Sequence, residues 1–175
     1  KRPDLYDMQA DKPPTLVSRD LRQEVPERVR HDGGIDLPLD EDRMRVAAKA
    51  LKEAGVKAMA VSFLYGFIRP EHEQRAVAIL REEMPDVFIS AGHEIAPEFR
   101  EFERLSTVVL NAYLAPVLRN YTERLTPRLR DLGMTATPHL TQSNGGVIGF
   151  GTAAEMPVRA VLSGPSTGPD PHVAC

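Results

Sequence analysis

The sequence predicts an α/β fold with a mixed, partly parallel sheet, flanking helices and a long kinked helix pair. Three observations carry that expectation. Residues 57–64 contain the almost wholly apolar run AMAVSFL. Lack of alternation marks a strand covered on both faces, the usual state of a parallel strand. A helical repeat over 70–84 follows, then an apolar run over 87–90. Strand, helix and strand in close succession make a βαβ unit, expected to be right-handed. Finally, a helical pattern runs from Pro97 to about Leu132, interrupted by Pro116.

The bulk properties agree with one domain, or a lobe of a larger protein. Of the 175 residues, 42% are hydrophobic and 27% charged, with a formal net charge of −3. Such a balance gives no strong pull on nucleic acid or anionic lipid. The single cysteine, Cys175, forbids an intrachain disulfide and fits a reducing, cytoplasmic setting. No apolar run is long enough to span a bilayer, and the start, KRPDLYDMQ, lacks a secretory signal pattern. Lys1 stands where an initiator Met would, so it is expected to be a cut site in a longer protein.

The elements follow in order. Residues 1–14 form a polar, proline-marked lead-in. Thr15–Val17 and Leu21–Val29 read as short strands, the second alternating and confined to an edge by Pro26. Asp32-Gly33-Gly34 signals a turn, with a return strand over Ile35–Leu39. Asp40 is an N-cap, and Val46, Ala47, Ala50, Leu51 and Ala54 make one apolar helix face ended by Gly55. Pro70 opens the next helix, with Ala76, Val77, Leu80 and Met84 inward and Pro85 after it. In the long helical stretch, Phe102, Leu105, Val109, Ala112 and Tyr113 share a face, as do Leu118, Tyr121, Leu125 and Leu132. Pro116 removes a donor and predicts a kink or break near Leu114–Ala115. Gly133 ends the stretch. Thr137–Thr141, Val147–Phe150 and Val158–Leu162 read as strands, with a short helix around Thr152–Glu155 and an irregular tail over 169–175.

Chemistry candidates divide between functional and plain readings. Gln142-Ser143-Asn144-Gly145-Gly146 combines hydroxyl, amide and glycine residues that suit an anion or a carbonyl. Asn-Gly between strands is also the strongest short hairpin signal, and spacing alone favours a plain turn. Ser163-Gly164-Pro165-Ser166-Thr167-Gly168 has hydroxyls and glycines but no Lys after Gly168, so it is not a P-loop and reads first as a turn. Glu101 and Arg104, spaced i, i+3, could pair. A solvated helix face explains them equally well, although Phe99 and Phe102 are interleaved there. His31, His72, His93, His139 and His172 are scattered, without metal-ligand spacing. His93, beside Glu94, and His139 could each act as a general base; a surface or hydrogen-bonded histidine is the favoured reading.

Three segments together are more specific than any one. Pro97-Glu98-x-Arg100-Glu101-Phe102-Glu103-Arg104 leads into Thr107-x-x-x-Asn111-Ala112-Tyr113-Leu114-x-Pro116. TQSNGG and VRAVLSGPSTG follow, and the opening RPDLYDMQADKPPTLVSRDLRQEVPERV fits with them. This combination resembles the hydantoinase/5-oxoprolinase family of hydantoin-utilization A-type, N-methylhydantoinase-like subunits, to which acetone carboxylase subunits are related. The resemblance runs over residues 3–168. It implies that the chain is an internal fragment of an actin/hexokinase-like ATPase architecture with ATP and Mg²⁺ between two lobes. It further implies ATP-dependent opening of a cyclic amide of the hydantoin or 5-oxoproline type. Resonance makes an amide carbonyl a poor electrophile, which is why activation of its oxygen is needed.

Under that resemblance, Glu101 and Arg104 are expected to orient a polar group in catalysis. Ser143, Asn144, Gly145, Gly146, Ser163 and Gly164 are expected near substrate or phosphate, and no metal ligands are assigned. The family's Asp-x-Gly-Gly-Thr phosphate loop is expected upstream of Lys1 and a second Gly-Gly-Thr loop beyond Gly168. The fragment alone is therefore expected to hold no cofactor tightly and to be inactive. PDPHVAC after Gly168 departs from the small apolar residues that the family carries there. Oligomerisation and a second hydantoinase-type subunit are the implied partners, with no nucleic acid and no membrane. A ketone carboxylase subunit and a non-catalytic assembly module are the alternatives.

Overall fold

A computed structural model describes residues 15–161 and 163. The βαβ unit expected from sequence is present at the centre of the fold. Strand β3 (Ala58–Val61) pairs in parallel with β4 (Phe88–Ala91), in register from Ala58 opposite Phe88 to Val61 opposite Ala91. Around that pair the elements run β1 (Arg28–Val29), β2 (Ile35–Leu37), α1 (Glu41–Glu53), β3, α2 (Glu71–Glu83), β4, α3 (Gly92–Ile95), α4 (Glu101–Asp131), β5 (His139–Thr141), β6 (Val147–Gly149) and α5 (Phe150–Glu155). The strands do not merge into one mixed sheet. They form three two-stranded ladders, of which β1–β2 and β5–β6 are antiparallel.

Local signals explain α1 and α2. Asp40 accepts the Arg43 amide at 2.8 Å, and Gly55 takes φ +72° just past the helix, a conformation that costs glycine little. Met44 and Ala48 of α1, Met59 and Val61 of β3, and Ala76, Ile79 and Leu80 of α2 form one core with Met84. Ser90, opposite Ala60 in the ladder, instead meets Asn111 of α4. Successive strand residues face opposite sides, so α1 and α2 cover one face of the parallel pair and α4 the other.

Several expectations are corrected. Thr15–Val17 is not a strand, Arg19–Leu21 is a 3-10 turn, and the strand expected over Leu21–Val29 shrinks to Arg28–Val29. The strand expected over Val158–Leu162 does not form over the described residues 158–161: Pro157–Ala160 is a 3-10 turn, and Leu162 lies outside the described residues. The α1 face is rotated, because Met44, Ala47 and Ala48 are buried while Val46 is exposed. The helix pair is one helix of 31 residues, containing both Pro116 and Pro127. Pro116 itself lies on the exposed side of the helix. The buried residues Val108, Asn111, Ala115 and Thr122 hold the helix on both sides of it, and tertiary packing outweighs local propensity. The expected face is met only in part: Ala112 is buried, while Phe102, Leu105 and Tyr113 are exposed. The lead-in over 1–14 and the tail over 169–175 lie outside the described residues.

Candidate functional site at the ends of the parallel strands

In open α/β sheets ligands gather beyond the carboxyl ends of parallel strands. Here β3 ends at Val61 and β4 at Ala91. The loop 62–69 and the short helix α3 leave from those ends. Glu73, in the first turn of α2, is fully buried beneath them. One carboxylate oxygen, Oε1, accepts the Phe63 amide at 2.9 Å. The other accepts the His93 amide at 2.6 Å and lies 3.0 Å from His93 Nδ1. A helix N-terminus favours a negative charge at this position. Gly66 and Gly92 make the fit possible: a Cβ on Gly92 would come within 2.9 Å of Glu73 Oε1, and one on Gly66 would be closer still.

Arg104, from the start of α4, is only 2% exposed. Its Nη2 donates to the Phe63 carbonyl, and its guanidinium lies 5.6 Å from the centre of the Phe67 ring. Nε and Nη1 are buried without a hydrogen-bond partner. Glu73 and Arg104 thus hold the two backbone groups of Phe63 from opposite elements. Between them the loop carries Tyr65 at φ 58°. A bulky residue in that region is an outlier that surrounding structure must impose. The Ile68 and Arg69 amides, both bonded to the Tyr65 carbonyl at 2.9 and 3.0 Å, close the turn.

His93 completes the cluster. A carboxylate only accepts hydrogen bonds, so the Glu73 contact places a proton on Nδ1. Its Nε2 makes no hydrogen bond among the described residues and lies 3.8 Å from Glu94 Oε1 at the surface. Deeper along α4, Asn111 is fully buried. Its Nδ2 donates to Ser90 Oγ and to the Glu155 carbonyl, each at 3.1 Å, and its Oδ1 accepts the Val158 amide at 3.2 Å.

The site residues expected from sequence are divided by the fold. Arg104 joins the buried cluster. Glu101 sits half-buried in the first turn of α4, and the expected Glu101–Arg104 pair is not formed; Arg100 and Glu103 approach at 4.0 Å instead. Ser143, Asn144, Gly145 and Gly146 form the β5–β6 hairpin turn. Gly145 takes φ +84°, and its amide donates to the Gln142 carbonyl at 3.1 Å. The Gly146 amide donates to Asn144 Oδ1 at 3.0 Å. Ser143 donates through its amide and Oγ to the Arg159 carbonyl at 2.7 and 2.9 Å. Three backbone amides of this turn are therefore already engaged, which does not fit a backbone cradle for a triphosphate. Ser163 is at the edge of the described residues and Gly164 lies outside them.

Sequence reasoning missed Glu73, Ser90 and Asn111. A signal existed for two of them. Glu73 falls three, four and seven residues before Ala76, Val77 and Leu80, on the inward face of α2, and Asn111 lies among Val108, Ala112 and Ala115. A polar residue on an apolar stripe is the informative exception. Among the described residues no group of three or more His, Cys, Asp or Glu could hold a metal ion. No described helix is long and apolar enough to cross a membrane.

Comparison with known proteins agrees with the sequence resemblance. The hydantoinase/oxoprolinase N-terminal region model matches residues 1–84, and the hydantoinase/oxoprolinase model matches residues 104–169. The chain is 42% identical over 154 residues to caprolactamase subunit alpha of Pseudomonas jessenii, covering 88% of this chain and 22% of that one. The crystal structure of the ATP-dependent caprolactamase from the same organism superposes with a TM-score of 0.87 at 40% identity, over 92% of this chain and 23% of that chain. A nucleotide-free acetone carboxylase structure gives 0.79 at 28% identity, over 90% and 22%. The chain thus spans less than a quarter of the length of these relatives, and over both matched segments it belongs to the hydantoinase/oxoprolinase family.

Proposed function

We propose that this chain is part of an ATP-dependent amidohydrolase that opens a cyclic amide of the hydantoin or 5-oxoproline type. The observation that supports it best is the agreement in sequence and structure with caprolactamase, a protein named for ATP-dependent action on a lactam. An actin/hexokinase-like architecture for the family-length protein goes with this reading. Activity is placed in that longer protein, and the segment alone is expected to be inactive. ATP with Mg²⁺ supplies activation of the amide oxygen there.

Within this segment, Arg104 and Glu101 would orient a polar group beyond the parallel strands. Ser143, Asn144, Gly145 and Gly146 would face substrate or phosphate through side chains rather than amides, with Ser163 and Gly164 on the same cleft. The family-length protein, given ATP, Mg²⁺ and a panel of 5-oxoproline, hydantoins and acetone with bicarbonate, should release phosphate together with a ring-opened product. Arg104→Ala and Asn144→Ala should each lower that rate. Wild-type rates in both variants would remove the assignment. Carboxylation of acetone would move the protein to the ketone carboxylases, to which the second structural likeness points.

One observation favours a partner-binding role for the outer face of α4. Tyr113, Val117 and Tyr121, spaced i, i+4 and i+8, are all more than half exposed. The relatives named as subunits suggest a second hydantoinase-type subunit as the occupant.

A further inference from the structure

We propose that His93 is a catalytic proton acceptor, with Glu73 as the residue that positions it. This rests on the cyclic-amide reading above and adds a residue to it. Glu73 is 0% exposed. An isolated buried charge is costly. Here its two oxygens accept the Phe63 and His93 amides and face His93 Nδ1. The His93 amide and ring both bond to the same Oε2. Backbone and side chain are thereby locked together, and the ring can only turn its other nitrogen outward.

The result is a chain of groups: buried Glu73, His93 with 12% of its side chain exposed, then Glu94 with 45%. A carboxylate on Nδ1 fixes the tautomer that leaves an electron pair on Nε2, and it stabilises the imidazolium that forms when Nε2 takes a proton. The pair stands at the carboxyl end of β4, on the side where ligands meet such strands. The groups facing His93 are Glu73 from α2, Glu94 from its own helix and, behind Glu73, Arg104 from α4.

In the reaction, the amide oxygen has taken a phosphoryl group from ATP, with ADP leaving. Water oxygen then bonds to the amide carbon while its O–H bond breaks, the proton goes to Nε2, and the carbon–nitrogen π pair moves onto nitrogen. As an oxygen pair of the new hydroxyl returns to carbon, the C–N bond breaks with its electrons on nitrogen, which takes the proton back from Nε2. The acyl phosphate left behind is hydrolysed by a second water to carboxylate and phosphate. Glu73 keeps its bond to Nδ1–H throughout and is not itself protonated.

Two measurements test the proposal separately from the cyclic-amide reading. In the neutral-ring form of His93, read at alkaline pH, ¹⁵N resonances should show a proton on Nδ1 and none on Nε2, and diethylpyrocarbonate should modify that nitrogen. A protonated Nε2, or a ring that resists the reagent, overturns the proposal whatever the enzyme's substrate. In the family-length protein, His93→Asn keeps a donor toward Glu73 and removes Nε2. It should fold, retain KM and lose kcat by about 100- to 10,000-fold, with loss of the acidic limb of the pH profile. Unchanged kcat and pH profile in a folded His93→Asn protein would also overturn it. Absence of any ATP-dependent amide opening in the wild type would overturn the cyclic-amide reading alone, leaving the resonance and modification results to decide the role of His93.

Discussion

The cluster around Glu73 and the turn at 142–146 are both polar and glycine-containing, yet the fold uses them in opposite ways. At Glu73 the glycines clear space for a buried carboxylate, and each polar group there is held from a different element. In the turn, Gly145 serves the backbone's own left-handed bend, and the side chains stay exposed. The difference teaches that a glycine-rich polar motif is not by itself a site. What counts is whether its hydrogen bonds close within a few residues, as in the hairpin, or bind distant segments together.

Substitutions can break that contrast, beginning with the largest effect. Glu73→Ala orphans the Phe63 and His93 amides. The expected loss is on the order of 3 kcal/mol or more, since each bond to a charged group is worth roughly 1.5–3 kcal/mol. Urea unfolding of the two proteins measures it, and a change below 1 kcal/mol on the order of thermal noise would make the cluster dispensable. Asn111→Ala should come next, at about 2 kcal/mol, because Ser90 and the Val158 amide lose their partner. The same experiment reads it, with faster hydrogen exchange at Val158.

Gly66→Ala sharpens the comparison. A Cβ there meets the Glu73 carboxylate and should cost about 1–3 kcal/mol by overpacking. Gly145→Ala meets nothing within 4 Å but must hold φ +84°, so about 1 kcal/mol is expected from strain alone. Equal losses in thermal unfolding would erase the distinction between the two glycines.

The smallest effect lies on the surface, where Arg75 bonds both oxygens of Glu41 at 2.8 and 2.6 Å. The hydrogen bond from Arg75 is the leading cause that holds the Glu41 carboxyl below its usual value. A lowered acid stabilises the fold above the unfolded-state pKa, and that contribution disappears as pH falls through the folded-state value. Glu41→Gln should therefore be less stable than wild type at neutral pH and equal to it in acid. A stability difference that persists in strong acid would assign the effect to packing instead.

The sequence by itself determined the βαβ centre, the Asp40 cap, the hairpin at Asn144-Gly145 and the family. Each is written in a short window: an apolar run, a capping residue, a turn dipeptide or a motif in order. Only the tertiary structure decided which face of α4 is buried, that the helix passes Pro116 unbroken, and that Glu73, His93 and Arg104 meet. Those outcomes depend on residues 20 and 41 positions apart satisfying one another's hydrogen bonds inside a low-dielectric interior. No local pattern records such partners. A lone charge on an apolar stripe shows only that some partner is required.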